Sequence, residues 1–220
     1  MSNARSAIFD GIRRSLHRGP LTGVAAEAVS RRLAEPRANV VPARGRGAGA
    51  ELVERFAAMV IETQASLARV AALSDVPASV AAWLAEAGLP LSAVAAPALA
   101  ALDWAGTGLD VRFGAAAKGD MVSLTPAFRG VAETGTLVLT SGPERPTTLN
   151  FMPDVHVVLV RAGDVVGCYE DAWVALRAAG AMPRTVNWIT GPSRTADIEQ
   201  SLLLGAHGPR RLHVVLIDGP

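Results

Sequence analysis

Two short segments of this chain carry residue types from which a site can be built. In Val131–Thr140, VAETGTLVLT, a turn containing Gly135 sets Glu133 beside Thr134 and Thr136 ahead of an apolar run. One carboxylate among hydroxyls and free backbone amides can act as a general base or anchor a polar ligand. It can equally do no more than satisfy the backbone donors of its own turn. In Ile189–Glu199, ITGPSRTADIE, an apolar run ends at Thr190-Gly191-Pro192-Ser193. A helix is expected from about Thr195 to Leu204, with Asp197 and Glu199 near its first turn, because Pro and Ser are helix-start residues. Free amides at such a start, strengthened by Arg194, would make an anion site. Plain N-capping explains Ser193 or Thr195 but leaves Arg194 and the GPS turn unaccounted for.

Gly205, Gly208 and Pro209 end that expected helix and leave His207 in a tight turn, where an imidazole can carry a proton or simply hold the turn. The stretch Ser141–Val160 is rich in Pro and Thr at its start and reads as a loop over a sheet edge, with Arg145 free to pair with a carboxylate or phosphate. His156, among valines, reads as a satisfied core histidine. Gly45–Ala50, GRGAGA, matches G-x-G-x-x-G/A, but no firm strand precedes it, and Glu62, at the acidic spacing, falls in a predicted helix. It reads as a flexible basic linker. The four histidines lack metal-ligand spacing, and there is no HExxH, CxxC, G-x-S-x-G or Walker A motif. No metal is expected.

The elements that must position these residues follow from apolar periodicity. Ile8, Ile12 and Leu16 mark a short helix in residues 1–20, followed by a loose stretch from Gly19 to Ala50. Residues 51–88 read as two helices, the first carrying Leu52, Phe56, Met59 and Val60, then Leu67 and Val70. The second follows Pro77 with Val80, Trp83 and Leu84, and stops at Gly88. Strands are expected at Leu91–Ala95, Met121–Thr125, Thr136–Thr140, Val155–Val160, Asn187–Thr190 and Leu212–Ile217, with a helix at about Glu170–Ala179. Val- and Leu-rich strands with helices between them predict an α/β domain, its mixed sheet covered by helices on both faces, over residues 51–220. Residues 1–50 read as a basic N-terminal helix and flexible arm.

Composition narrows the function classes. Cys168 is the only cysteine in 220 residues, which excludes a disulfide framework, a cysteine-rich zinc site and a self-contained iron–sulfur cluster. That single cysteine fits a reducing, cytoplasmic setting, and the N-terminus has no apolar stretch long enough for a signal peptide. The longest uncharged apolar stretch, Ala87–Leu102, is broken by Pro90 and Pro97 and too short to span a membrane. The net charge of +1 hides an asymmetry: residues 1–50 hold nine arginines against Asp10, Glu27 and Glu35, a net +6, while the rest carries −5. Such an arm suits phosphate backbones, the acidic body itself or an acidic partner. Phe9 is its only aromatic residue, so stacking on single strands is not expected, and no nucleic-acid partner is assigned.

AETGTLVL (Ala132–Leu139) together with ITGPSRTADIE and the GAHGPRRLHVVLI that begins at Gly205 resembles the LUD domain family, and more narrowly its lactate utilization protein C branch. Leu102-Asp103-Trp104, the loop through Pro153 and His156, and the helices ahead of the first strand support the likeness over roughly residues 50–220. The resemblance implies a fold similar to the sugar-phosphate isomerase and CoA-transferase α/β fold. It implies membership of a three-protein system that oxidises L-lactate to pyruvate, in which the other two proteins carry the iron–sulfur modules. This chain would then be a non-redox component with no cofactor of its own and iron–sulfur subunits as partners. In related folds an acidic residue does the chemistry at the sheet edge, which makes Glu133 the catalytic candidate. The ligand-binding set is then Thr134, Gly135, Thr136, Arg145, Gly191, Ser193, Arg194, Thr195, Asp197 and His207 around a small anionic ligand. Arg194 and the amides of Ser193 and Thr195 would hold a carboxylate or phosphate, with Arg145 and His207 at the mouth. Two alternatives stand beside this reading: a stand-alone enzyme acting through Glu133 on a sugar-phosphate or acyl-CoA-like substrate, and an assembly module docking by its basic arm.

Overall fold

The computed structural model describes residues 4–37, 39–196 and 202–219, and the chain divides into two units, residues 1–40 and 41–220. In the first unit, α1 (Ala4–Ser15) carries Ile8 and Ile12 at helical spacing, and α2 (Gly23–Ala34) follows; neither helix contains a buried residue. α2 falls where the sequence reads as loose. Its alanines and straight-chain residues favour the helix locally, and it ends just ahead of Pro36.

The second unit begins with α3 (Ala50–Glu62), whose Leu52, Val53, Phe56, Ala57 and Val60 form one buried face. The helix stops at Thr63: Gln64 takes φ +69°, and the Ala65 amide reaches back to the Val60 carbonyl at 3.3 Å, closing a Schellman-type end. Leu67 and Val70 therefore leave the helix in which the sequence places them and enter a strand, β1 (Ser66–Val70). α4 (Val76–Glu86) ends as expected at Gly88, φ +64°. The remaining elements are β2 (Ser92–Ala95), β3 (Asp110–Phe113), β4 (Val122–Pro126), β5 (Arg129–Val131), β6 (Thr136–Thr140), β7 (Val155–Arg161), β8 (Val165–Val166), α5 (Tyr169–Ala178), β9 (Val186–Ile189), β10 (Arg194–Ala196), β11 (Leu202–Leu204) and β12 (Arg211–Ile217).

The α/β expectation holds, but one mixed sheet becomes two principal sheets. β1-β12-β7-β4-β2-β3 form six strands, all parallel. β8-β5-β6-β9 form the mixed sheet, with β6 antiparallel to both β5 and β9. The short β5–β6 turn permits only antiparallel pairing, which separates this sheet from the parallel one. Because side chains alternate across a strand, Val157 and Leu159 of β7 face α4, while Val158 and Val160 face α3 and the second sheet. α5 packs Ala172 and Leu176 on the outer side of the second sheet against Val131 and Val138. Both faces of the parallel sheet are thus covered, one by α4 and the other by α3 together with the four-stranded sheet. Among the described residues, no helix is long and apolar enough to cross a membrane.

Where the sequence predicts a helix over Thr195–Leu204, the described residues at both ends are strands. Arg194, Thr195 and Ala196 pair with Leu204, Leu203 and Leu202 in an antiparallel ribbon. Asp197 lies outside the described residues. The ribbon's base is tied by the Gly205 amide donating to the Ser193 carbonyl at 3.0 Å, a pairing that no local sequence pattern announces.

Candidate functional site

The alternation that sends Val158 and Val160 into the inter-sheet core also sends His156 there, and Leu212 of β12 points the same way as Val214 and Leu216. Toward the N-terminal ends of β7 and β12, beside His156 and Leu212, lies a cavity of about 310 Å³. Its floor carries Asn150 and His156, both buried. The turn after β9, Thr190 to Arg194, makes one wall, and His207, Gly208 and Pro209 make another.

Backbone bonds fix these walls. The Ser193 amide donates to the Pro209 carbonyl at 2.8 Å, joining the two turns. Gly191 sits at φ +74°, and a Cβ there would come within 2.5 Å of the Thr63 carbonyl oxygen, so only glycine lets the turn lie this close to the end of α3. The same Thr63 carbonyl accepts a hydrogen bond from Arg194 Nη2. The carbonyl end of a helix carries partial negative charge, so α3 holds the guanidinium at the cavity wall.

The floor is unusual in its unpaired atoms. His156 Nε2 lies 2.7 Å from Thr125 Oγ1, but its Nδ1 has no hydrogen-bond partner among the described residues, and neither has Asn150 Oδ1. Complete burial pushes the His156 imidazole down to about 3, so it is neutral at physiological pH. The sequence reading of a satisfied core histidine is therefore corrected on one nitrogen.

The predicted site residues separate into three groups. Gly191, Ser193, Arg194 and His207 line the cavity. Thr134 and Thr136 adjoin it through a hydroxyl cluster: Thr136 Oγ1 lies 2.6 Å from Thr190 Oγ1, 2.7 Å from Thr134 Oγ1 and 2.9 Å from the Tyr169 hydroxyl. Antiparallel pairing of β6 with β9 brings the two singled-out segments together in this way. Glu133, Gly135 and Arg145 do not line the cavity. Glu133 is buried beneath the 43–45 turn, with Arg44 Nη2 at 3.6 Å from its Oε1 and its amide bonded to the Gly167 carbonyl. Gly135 takes φ +66° with its α-carbon against the backbone of Met59 and Val60, a packing role on α3. Arg145 is exposed in the Gly142–Arg145 turn.

The anion site predicted from a helix start does not form. No helix begins at Ser193, whose amide is already taken by Pro209, and Thr195 belongs to the ribbon. What remains is Arg194 as the permanent cation of the wall, with the Ser193 and Thr190 hydroxyls and the His207 imidazole around it. No carboxylate is among the lining residues described, so the arrangement suits binding a small anion better than acid–base work by a carboxylate. Sequence reasoning missed Asn150 and Thr190 as site residues. Nothing flags Asn150 in the sequence, whereas His156, a polar residue in an otherwise apolar strand, carried a usable signal. The GRGAGA segment, read as a flexible linker, is instead held to α3 by Arg55, whose Nη1 donates to the carbonyls of Arg44 and Arg46.

A family model described as the LUD domain matches residues 54–217. The chain is 43% identical over 89 residues to an uncharacterised protein of Neisseria meningitidis, covering 40% of this chain and 38% of that one. It is 28% identical over 176 residues to Lactate utilization protein C of Deinococcus radiodurans, covering 76% of this chain and 80% of the relative. It is 36% identical over 89 residues to Lactate utilization protein C of Anoxybacillus flavithermus, covering 40% of each. The matched stretch thus spans well under half of the Neisseria and Anoxybacillus proteins. The crystal structure of a DUF162 family protein from Deinococcus radiodurans superposes with a TM-score of 0.61 at 23% identity, over 78% of this chain and 99% of that one, and shows the same fold.

Proposed function

The chain belongs to the LUD domain family, and from that premise we propose that it serves lactate utilisation as the non-redox component of a system oxidising L-lactate to pyruvate. In this reading the cavity between the GPSR and GAHGP turns holds a small anionic ligand, and iron–sulfur clusters reside on partner subunits. Relatives named Lactate utilization protein C support the role. The observation that carries the site is the meeting of Arg194, Ser193 and His207 on one cavity, because two separated segments that resemble the family supply its walls. Cys168, the only cysteine, is buried at the start of α5, with its thiol pushed up by desolvation, so electron transfer is assigned to the partners. A stand-alone enzyme working through Glu133 draws no support from the cavity, which Glu133 does not line.

Two experiments test this. A strain lacking the protein should fail to grow on L-lactate as sole carbon source, and normal growth rejects the role. With the purified chain, Arg194→Ala should weaken L-lactate binding about tenfold or more, the effect of removing one charge-assisted hydrogen bond. Glu133→Gln should leave that binding within about twofold, since neutralising a carboxylate away from the cavity removes no ligand contact. A loss with Glu133→Gln would move the site back to the AETGT turn.

A further inference from the structure

We infer that the first unit is a lipid-docking element: α1 and α2 lay two arginine-bordered apolar rows on an anionic membrane surface. The inference is independent of the cavity and uses residues that serve neither the core nor the site. On α1, Ile8 and Ile12 stand four residues apart with Phe9 beside them, and Leu16, whose amide donates to the Ile12 carbonyl at 3.0 Å, continues the row. All four are exposed, Ile8 to 63%. α2 repeats the arrangement with Val29 and Leu33, the latter 78% exposed. Neither helix contains a buried residue. Helices of 12 residues are marginal in water by themselves, and an apolar row gains its stability from what covers it.

The charges point to the cover. Residues 1–40 hold seven arginines against Asp10, Glu27 and Glu35, a net +4, and Asp10 is already paired with Arg13 at 2.8 Å. The guanidiniums border the rows: Arg5 lies over the Phe9 ring at 5.6 Å, Arg13 and Arg14 occupy the last turn of α1, and Arg31 and Arg32 the last turn of α2. Low overall hydrophobicity, a row of Ile, Leu and Phe, and arginines along its borders mark a helix that lies in a membrane interface. The row enters the acyl boundary while the guanidiniums stay among the phosphates. A groove on an acidic protein takes one amphipathic helix and fixes the place of each counter-charge. Here two short rows follow one another across Gly19-Pro20, a joint that breaks the helix, and a fluid surface receives both without a matched contour. A second copy of the arm would meet the first with like charge.

Vesicle flotation of the full chain decides it, with vesicles of phosphatidylcholine alone and vesicles that also contain phosphatidylglycerol. The chain should bind the anionic vesicles about tenfold more tightly than the neutral ones, and added salt should weaken that binding by screening the arginines. Ile8→Glu with Ile12→Glu should weaken it about tenfold or more, since the row can then no longer enter the acyl boundary. Arg13→Ala with Arg14→Ala should give a loss of the same order. Both variants should keep the melting temperature of the unaltered chain, because the rows do not belong to the core. A lower melting temperature with Ile8→Glu and Ile12→Glu would show that the chain's own body covers the row, and overturns the inference. Equal binding to both kinds of vesicle overturns it by removing the role of charge, and binding that survives the Ile8 and Ile12 substitutions overturns it by removing the role of the row. Flotation with neither vesicle overturns the lipid surface and leaves an acidic protein groove as the occupant. Each of these outcomes reads the same whether or not the cavity binds L-lactate.

Discussion

Two histidines lie one register step apart on neighbouring strands of the parallel sheet and face opposite ways. His156 on β7 is paired in register with Leu212, and His213 on β12 with Val157. Both are buried, and burial holds both imidazoles neutral, pushed down to about 3 and about 4. Each gives one nitrogen to a hydroxyl, Thr125 at 2.7 Å and Ser66 at 2.8 Å, and each has a second nitrogen without a partner among the described residues. The surroundings differ. His213 is stacked on Trp83 of α4, ring centroids 4.0 Å apart and planes within 9°, whereas His156 borders the cavity, fully buried beneath its floor. Burial, neutrality and an unpaired nitrogen are therefore common to a histidine stacked against a helix and one that borders the cavity. What separates them is the neighbour, an aromatic ring for one and the cavity floor for the other.

The comparison can be broken in three ways, taken from the largest expected effect down. Gly191→Ala places a Cβ against the Thr63 carbonyl at a backbone angle that L-residues resist. It should cost about 3 kcal/mol or more in chemical denaturation and abolish L-lactate binding, because the wall carrying Arg194 must shift. A variant of unchanged stability and affinity would show that the wall does not depend on this close approach. Trp83→Ala removes the half-buried ring over His213 and should cost about 2 kcal/mol, less than a fully buried tryptophan. Its L-lactate affinity should stay within about twofold, and a larger loss would erase the distinction between the two faces.

The third test is pH. Both histidines have folded values below the ordinary 6.5, so the unfolded chain binds more protons between that value and the folded ones. Their contribution to stability is full above pH 6.5 and declines as the pH falls toward about 4 and then about 3. The melting temperature should therefore drop between pH 7 and pH 4, and His213→Phe should make that drop shallower by removing one of the two titrations. An equally steep drop in the variant would place the acid sensitivity elsewhere.

Local pattern made much of this legible. β2, β4, β6, β7, β9 and β12 lie within a residue or two of their predicted positions, since Val- and Leu-rich runs bounded by turn residues suffice to mark them. β1 was hidden because Leu67 and Val70 continue the helical spacing of α3, and only the left-handed Gln64 interrupts it. β3, β5 and β8 are two to four residues long, and their partners rather than their composition define them. The ribbon at Arg194–Ala196 and Leu202–Leu204 replaced a helix for the same reason: its pairing is non-local.

The site was legible in pieces. The sequence alone determined an α/β domain, a chain with one cysteine, and two glycine turns at which chemistry-bearing residues gather, because these depend on periodicity, composition and backbone freedom. It did not determine which candidates share a space. The pairing of β6 with β9 and the bond from Ser193 to Pro209 brought Thr136, Arg194 and His207 around one cavity, while the turn over Gly45 enclosed Glu133 elsewhere. Asn150 and His156 acquired their place beside that cavity only through strand alternation and the loop that closes next to it. Contacts between residues distant in the chain made that choice, and no short window of sequence contains them.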